Sequence, residues 1–152
     1  MFRTAFWCLM FIPLRALAFD CYVTLVKDNC WTNYDVTVTV TDSATGNAVL
    51  TLTAPKGQTF GRGTFQCQAE QTLAFSAQFS PVFWQSDAGK TWRGIRTLSL
   101  PKAPKPGELA WNLPICFSSA FSGVPLPPGA SGNCACDFGS VPAIVIPAKS
   151  GG

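Results

Sequence analysis

The segment from Tyr34 to Thr53 constrains the fold most, because it reads as two alternating strands joined by a turn. In the first run, Val36, Val38 and Val40 alternate with threonines, which is typical of a strand with one apolar face. The run 49–53 repeats the alternation, and the residues between the two runs favour turns. We therefore predict a β-hairpin. Since a lone hairpin is not stable in water, further strands must cover its apolar face.

Residues 1–18 have the organisation of a secretory signal peptide. Arg3 supplies a positive charge, residues 4–14 are mostly apolar, and residues 16–18 (ALA) form a small-x-small cleavage signal. The apolar run is too short to span a bilayer comfortably, and no later stretch is apolar enough to do so. We predict an exported mature chain that begins at Phe19 and contains no transmembrane segment.

The charge of the predicted mature chain is close to neutral. The signal peptide carries two arginines and no acidic residue, so its removal lowers the net charge from +3 to about +1. No run of basic residues remains. This balance gives no electrostatic reason to expect a nucleic acid or an anionic membrane as a partner.

An even number of cysteines remains after the signal peptide: Cys21, Cys30, Cys67, Cys116, Cys134 and Cys136. In an oxidising compartment this number predicts three disulfides. The alternative is a zinc site, which lacks support because the chain has no CxxC pair and no histidine. The sequence alone does not choose among the possible pairings.

Cys134 and Cys136 are separated by one residue. In an extended chain they project to the same face, so each is expected to reach a different partner rather than close a strained local ring. A redox-active pair is the alternative, and two free thiols of low pKa would indicate it.

Other segments also alternate or are rich in strand-forming residues, and turn signals recur about every ten residues. They are residues 21–26, 64–68, 72–79, 82–85, 90–100 and 109–113. No helical pattern of useful length is present. We predict a single antiparallel, immunoglobulin-like β-sandwich over residues 19–116, with a small barrel as the alternative.

Residues 117–152 form a tail rich in proline and glycine, tethered by its two cysteines, with a candidate edge strand at 141–146. Its apolar residues follow neither strand nor helix periodicity. We predict that the tail contacts a partner rather than joining the core. The alternative is that it wraps its own sandwich.

Residues 86–89 (SDAG) predict a hairpin turn that places Trp84 opposite Trp92. Such a cross-strand pair stabilises a sheet. The alternative is an exposed interaction patch, because tryptophan and arginine dominate binding hot spots. The members of that patch are Trp84, Trp92, Arg93 and Arg96.

The absence of histidine excludes Ser-His-Asp and Cys-His catalysis and histidine-based metal sites. The sequence does not exclude a glycosidase with paired carboxylates, but several of the acidic residues already belong to turns. The full supply is Asp20, Asp28, Asp35, Asp42, Asp87, Asp137, Glu70 and Glu108. We predict no enzymatic activity, no metal and no cofactor.

Two non-catalytic functions are consistent with these features. The first is a structural or accessory subunit of a periplasmic or outer-membrane assembly, acting by protein–protein contacts with other envelope proteins. The second is a carbohydrate- or ligand-binding module, in an extracellular or periplasmic location. It would use tryptophans as stacking platforms, with Gln85 and Asp87 beside Trp84. Its candidate tryptophans are Trp31, Trp84, Trp92 and Trp111.

The predicted mature start, FDCYVTLVKDNCWTNYDVTV, with its two early cysteines, resembles small periplasmic accessory proteins of Dot/Icm-type (type IVB) secretion systems. The resemblance covers about the first third of the chain. It implies a non-catalytic subunit at the periphery of an outer-membrane core complex. Because the chain has no lipid-anchoring cysteine, neighbouring subunits would then hold it at the membrane.

Overall fold

The computed structural model describes residues 19–130 and 132–145, which form two β-sheets packed face to face. The predicted signal peptide and Ile146 lie outside the described residues. Short 3-10 turns occur at Gln85–Asp87 and Phe138–Ser140. The strands are β1 Phe19–Lys27, β2 Asp35–Asp42, β3 Ala48–Ala54, β4 Phe60–Cys67, β5 Thr72–Ser80, β6 Trp92–Arg93, β7 Leu98–Ser99 and β8 Ala110–Phe117.

The first sheet has the strand order β4-β1-β8, and the second has the order β3-β2-β5-β6, with β7 also paired to β5. All pairings are antiparallel except that of β1 with β8, where Val23 lies opposite Leu113. The predicted β-sandwich is confirmed, with this one parallel pairing as an addition. Its immunoglobulin-like character stays a prediction. Within 19–130 and 132–145, no helix is long and apolar enough to cross a membrane.

The predicted hairpin is formed by β2 and β3. Val36, Val38 and Val40 are fully buried between the sheets, and the threonines between them point outward. The register places Val38 opposite Leu52 and Thr37 opposite Thr53. Asp42 Oδ1 accepts hydrogen bonds from backbone amides in the turn, which stabilises the connection.

Trp31 lies at the centre of the core, where its ring contacts several other aromatic rings. Their centroids lie 4.6 to 5.6 Å from it, and they belong to Tyr34, Phe79, Phe83 and Phe117. The Trp31 Nε1–H has no hydrogen-bond partner in the part of the chain that the structure describes. Trp92 and Trp111 are buried as well. None of these three tryptophans is therefore the exposed stacking platform that a carbohydrate-binding module needs.

The disulfides join Cys21 to Cys67, Cys30 to Cys134 and Cys116 to Cys136, with Cα–Cα distances of 5.8, 5.5 and 5.9 Å. The first links neighbouring strands β1 and β4. The other two fasten the C-terminal tail to the loop after β1 and to β8. The prediction that Cys134 and Cys136 reach different partners is confirmed.

The described part of the tail packs against its own domain. Phe117 and Phe121 are buried in the core, so the prediction that the tail stays outside the core is wrong for these two residues. Further along, the Arg62 side chain donates a hydrogen bond of 2.9 Å to the Pro142 carbonyl. Residues 141–145 form no strand. The burial of aromatic side chains and the two disulfides hold the tail in place. Neither of these interactions requires a periodic sequence pattern.

The two sides of the sandwich differ. On one side β3 and β4 come together, because Gly61 has no side chain to collide with the Thr53 carbonyl. On the other side, β8 of the first sheet faces the segment 95–98 of the second sheet across a groove. The sandwich is therefore closed on the side of β3 and β4, whereas the other side is more open and has a groove beside the bridge between Gly94 and Phe121.

Candidate interaction site

The groove on the open side has a volume of about 490 Å³ and is mainly apolar. Two of its residues are unusually exposed for aliphatic side chains. Ile95 is 60% exposed and Leu98 is 37% exposed. The apolar residues that line the groove are Phe75, Ile95, Leu98, Pro114, Ile115, Ala120 and Phe121.

Backbone hydrogen bonds fix Ile95 in its exposed position. Gly94 N–H donates to the Phe75 carbonyl at 2.7 Å, and Ile95 N–H donates to the Ala120 carbonyl at 2.9 Å. Gly94 also packs so tightly on Phe75 that an added Cβ would lie 3.2 Å from two of its atoms. These hydrogen bonds hold the main chain to Phe75 on one side and to Ala120 on the other, while the Ile95 side chain projects outward.

Strand edges border the groove, and part of their backbone is unpaired. Among the described strands β8 pairs only with β1, and β6 and β7 pair only with β5. In the described part of the chain, the outer edges of β7 and β8 have no partner strand, which is the feature that lets a further strand add to a sheet. The edge at β6 is different, because Gly94 is bridged to Phe121. Ser122 N–H also donates to the Arg93 carbonyl at 2.8 Å. Pro114 lies within β8 and supplies no N–H, so a ladder along β8 would be interrupted there.

The charge of the groove comes from Arg96. No carboxylate belongs to its lining residues, and the single ion pair within residues 19–130 and 132–145 joins Lys90 to Asp87 elsewhere. An occupant would therefore meet an apolar surface with a positive charge at its border. The lining supplies no acid–base pair or free thiol, since Cys116 is in a disulfide.

No family model matches the chain, and no similar curated protein or solved structure was found. The geometry and chemistry of its own residues must therefore indicate what the protein does.

The structure separates the four residues predicted as an interaction patch. Trp84 is 65% exposed, whereas Trp92 is 8% exposed and lies parallel to Phe79 with ring centroids 6.2 Å apart. Arg93 and Arg96 are both exposed, and only Arg96 lines the groove. The exposed-patch alternative is therefore wrong for Trp92.

The predicted cross-strand pair of Trp84 and Trp92 is also wrong. Residues 85–87 form a 3-10 turn, and Trp92 pairs with Ala77 of β5 instead. Pairing with the edge of β5 buries the large Trp92 ring beside Phe79, a gain that the local turn signal does not reveal. Ile95 and Leu98 fall within the predicted strand 90–100. Gly94 interrupts the strand pattern of that segment, and this interruption was the sequence signal that the residues after it could form a separate surface.

A second cleft of about 480 Å³, lined by both apolar and polar residues, lies beside the loop that carries Trp84. Its polar lining residues are Asp35, Thr37, Gln78, Ser80, Asp87 and Lys90. Asp87 N–H donates to the Trp84 carbonyl at 3.0 Å, so the cleft and the exposed indole share one short loop. Carboxylates and an amide near an exposed aromatic ring are the groups that bind neutral sugars.

Asp28 lies near the Cys30–Cys134 disulfide, with their possible ligand atoms within 4.8 Å of one another. Both sulfurs are in a disulfide and so supply no thiolate ligand. The carboxylate of Asp28 accepts hydrogen bonds from Cys30 N–H and from both the N–H and the hydroxyl of Ser118. This arrangement fixes the loop after β1 against the residues that follow β8.

Proposed function

We propose that the protein is an exported, non-catalytic accessory subunit of an envelope assembly, and that the groove beside β8 binds an extended segment of a partner protein. The observation that carries the proposal is the exposure of Ile95 and Leu98 in an apolar groove beside the unpaired edges of β7 and β8. Exposed aliphatic side chains grouped in a concave surface are typical of protein interaction sites.

The groove also indicates what the partner segment is like. The unpaired backbone of β7 and β8 favours an extended chain over a helix, because an extended chain can satisfy those groups. Alternate apolar side chains of that segment would contact Ile95 and Leu98. An acidic residue of the segment would face Arg96, which has no carboxylate partner among the described residues.

The resemblance to small periplasmic proteins of Dot/Icm-type secretion systems is consistent with this role. Three disulfides support an exported protein, since disulfides persist in oxidising compartments. Periplasmic or outer-membrane association and membership of a secretion-system core complex are part of the proposal.

The test is affinity purification from the native envelope, followed by mass spectrometry, with Ile95→Glu and Leu98→Glu combined. These changes place charges in the groove without entering the core, so the variant should fold and lose its co-purifying partner. Leu126→Glu is the matched control, because Leu126 is 53% exposed and does not line the groove. Equal recovery of the partner by both variants would refute the groove as the contact surface.

The second cleft, beside Trp84, supports a second candidate function, the binding of neutral carbohydrate. The exposure of Trp84 beside Asp87 favours it. Titration with soluble neutral oligosaccharides should then quench tryptophan fluorescence, and Trp84→Ala should abolish the response. Unchanged fluorescence across such a panel would count against this function and leave the groove proposal standing.

A further inference from the structure

We propose that a cavity beneath the C-terminal tail binds a carboxylate attached to a small apolar group. Pro114 of β8 lines both this cavity and the proposed groove, but the polar residues of the cavity do not line the groove, and this proposal does not depend on it. The cavity has a volume of about 410 Å³ and lies on the outer face of the first sheet. Its floor contains Thr24 of β1, Arg62 of β4 and Asn112 of β8, and the tail supplies its apolar walls from Phe138, Val141, Pro142, Ala143 and Ile144.

A chain of hydrogen bonds orients the polar groups on the floor. Arg62 Nε donates to the Thr24 hydroxyl at 2.9 Å, and that hydroxyl donates to Asn112 Oδ1 at 2.9 Å. Because the hydroxyl has a single hydrogen, accepting from Arg62 leaves it to donate to Asn112. The Asn112 side-chain oxygen is thereby engaged within the floor, and its NH₂ group is left to donate elsewhere.

Arg62 likewise has donors to spare. One of its terminal nitrogens donates to the Pro142 carbonyl at 2.9 Å, and its guanidinium carbon lies 5.7 Å from the centre of the Phe60 ring. Within the described chain no carboxylate lies at ion-pair distance from it. A guanidinium has further N–H groups and no acceptor, so the cavity presents a positive charge and an excess of donors.

These properties select the ligand. An excess of donors around an arginine favours a group that supplies two acceptor oxygens and a negative charge, and a planar carboxylate matches the guanidinium fork. The apolar residues of the tail favour an aliphatic group next to that carboxylate. The volume lies at the small end of the range for ligand pockets, roughly 300–1,000 Å³.

Two sources supply this chemistry, a free monocarboxylate and the C-terminal carboxylate of a peptide. Calorimetric titration of the mature, disulfide-intact protein with isovalerate and with N-acetyl-alanyl-valine covers both. The corresponding amides are controls for charge. We expect each acid that fits the cavity to bind, and we expect the corresponding amide not to bind. Tighter binding of the peptide would assign the site to chain termini, and comparable binding would assign it to small carboxylates in general.

The variant Arg62→Gln should weaken binding of the acids by about tenfold or more, because it removes the charge that faces the carboxylate. Arg93→Gln, at an exposed arginine of β6, is the matched control and should bind as the unaltered protein does. Asn112→Asp, at an exposed position, adds a repelling charge and tests the same site without removing Arg62. Failure of both acids to bind at millimolar concentration, equal binding of the amides, or unchanged binding by both Arg62→Gln and Asn112→Asp would overturn the proposal.

Discussion

The ammonium nitrogen of Lys27 lies 2.7 Å from the carbonyl oxygen of Pro55, which follows β3. The same nitrogen donates to the carbonyls of Tyr34, at 2.7 Å, and Thr32, at 3.4 Å. Lys27 is only 3% exposed. Burial lowers the pKa of this lysine, and the negative charge of Asp35 opposes the shift. One buried charge thus ties together the end of β1, the loop before β2 and the connection after β3.

Replacement of Lys27 with methionine should destabilise the protein by about 1–3 kcal/mol, because the carbonyls of Tyr34 and Pro55 lose this donor while the apolar volume is largely kept. Urea unfolding measures the change. Lys56→Met is the control, since the Lys56 side chain is exposed and its loss should cost less than about 0.5 kcal/mol. Equal effects of the two substitutions would show that the carbonyl contacts contribute nothing.

Asp42 should make stability depend on pH in the acidic range. The hydrogen bond from Gln71 and those from the backbone of Ala44 and Thr45 lower its pKa below the ordinary 3.8. Because the folded pKa is lower than the unfolded one, the stabilisation is present at neutral pH and is lost as the pH falls through the folded pKa. The stability difference between the unaltered protein and Asp42→Asn should therefore shrink on acidification. Urea unfolding at a series of pH values measures it, and a constant difference would contradict this assignment.

The disulfides should be reduced in a defined order. Cys21 and Cys67 are fully buried, whereas the four cysteines that hold the tail are partly exposed. A thiolate reductant must reach a sulfur in order to attack it. Mild reduction followed by alkylation and mass spectrometry should label the four tail-holding cysteines before Cys21 and Cys67. Early labelling of Cys21 would mean that the sandwich opens before the tail is released.

Gly61→Ala should destabilise the protein more than Gly63→Ala. A Cβ at position 61 would collide with the backbone carbonyl of Thr53, which can move only if β3 and β4 separate. At position 63 it would meet the end of the Leu50 side chain at 3.1 Å, which can rotate away. We expect the first change to cost about 1–3 kcal/mol and the second distinctly less. Thermal unfolding compares them, and a reversed order would argue against close contact of the two strands.

The elements that were predicted correctly carry local signals. The hairpin of β2 and β3 and the strand β5 alternate with period two, and alternation decides which side of a strand each residue occupies. The separate partners of Cys134 and Cys136 followed from the same local geometry. The Trp84–Trp92 pair failed because its turn signal was weaker than the burial that Trp92 gains against β5.

By itself, the sequence determined an all-β fold, its strongest strands and the separate partners of Cys134 and Cys136, because strand alternation and cysteine spacing act over a few residues. The tertiary structure alone decided which cysteines pair, where the groove opens and how the tail lies across the first sheet. Those features join distant positions, as in the Cys30–Cys134 disulfide, which spans 104 residues. Contacts at such separations depend on how the two sheets pack. No periodic pattern in the sequence indicates the position of Ile95 or the hydrogen bonds of Arg62.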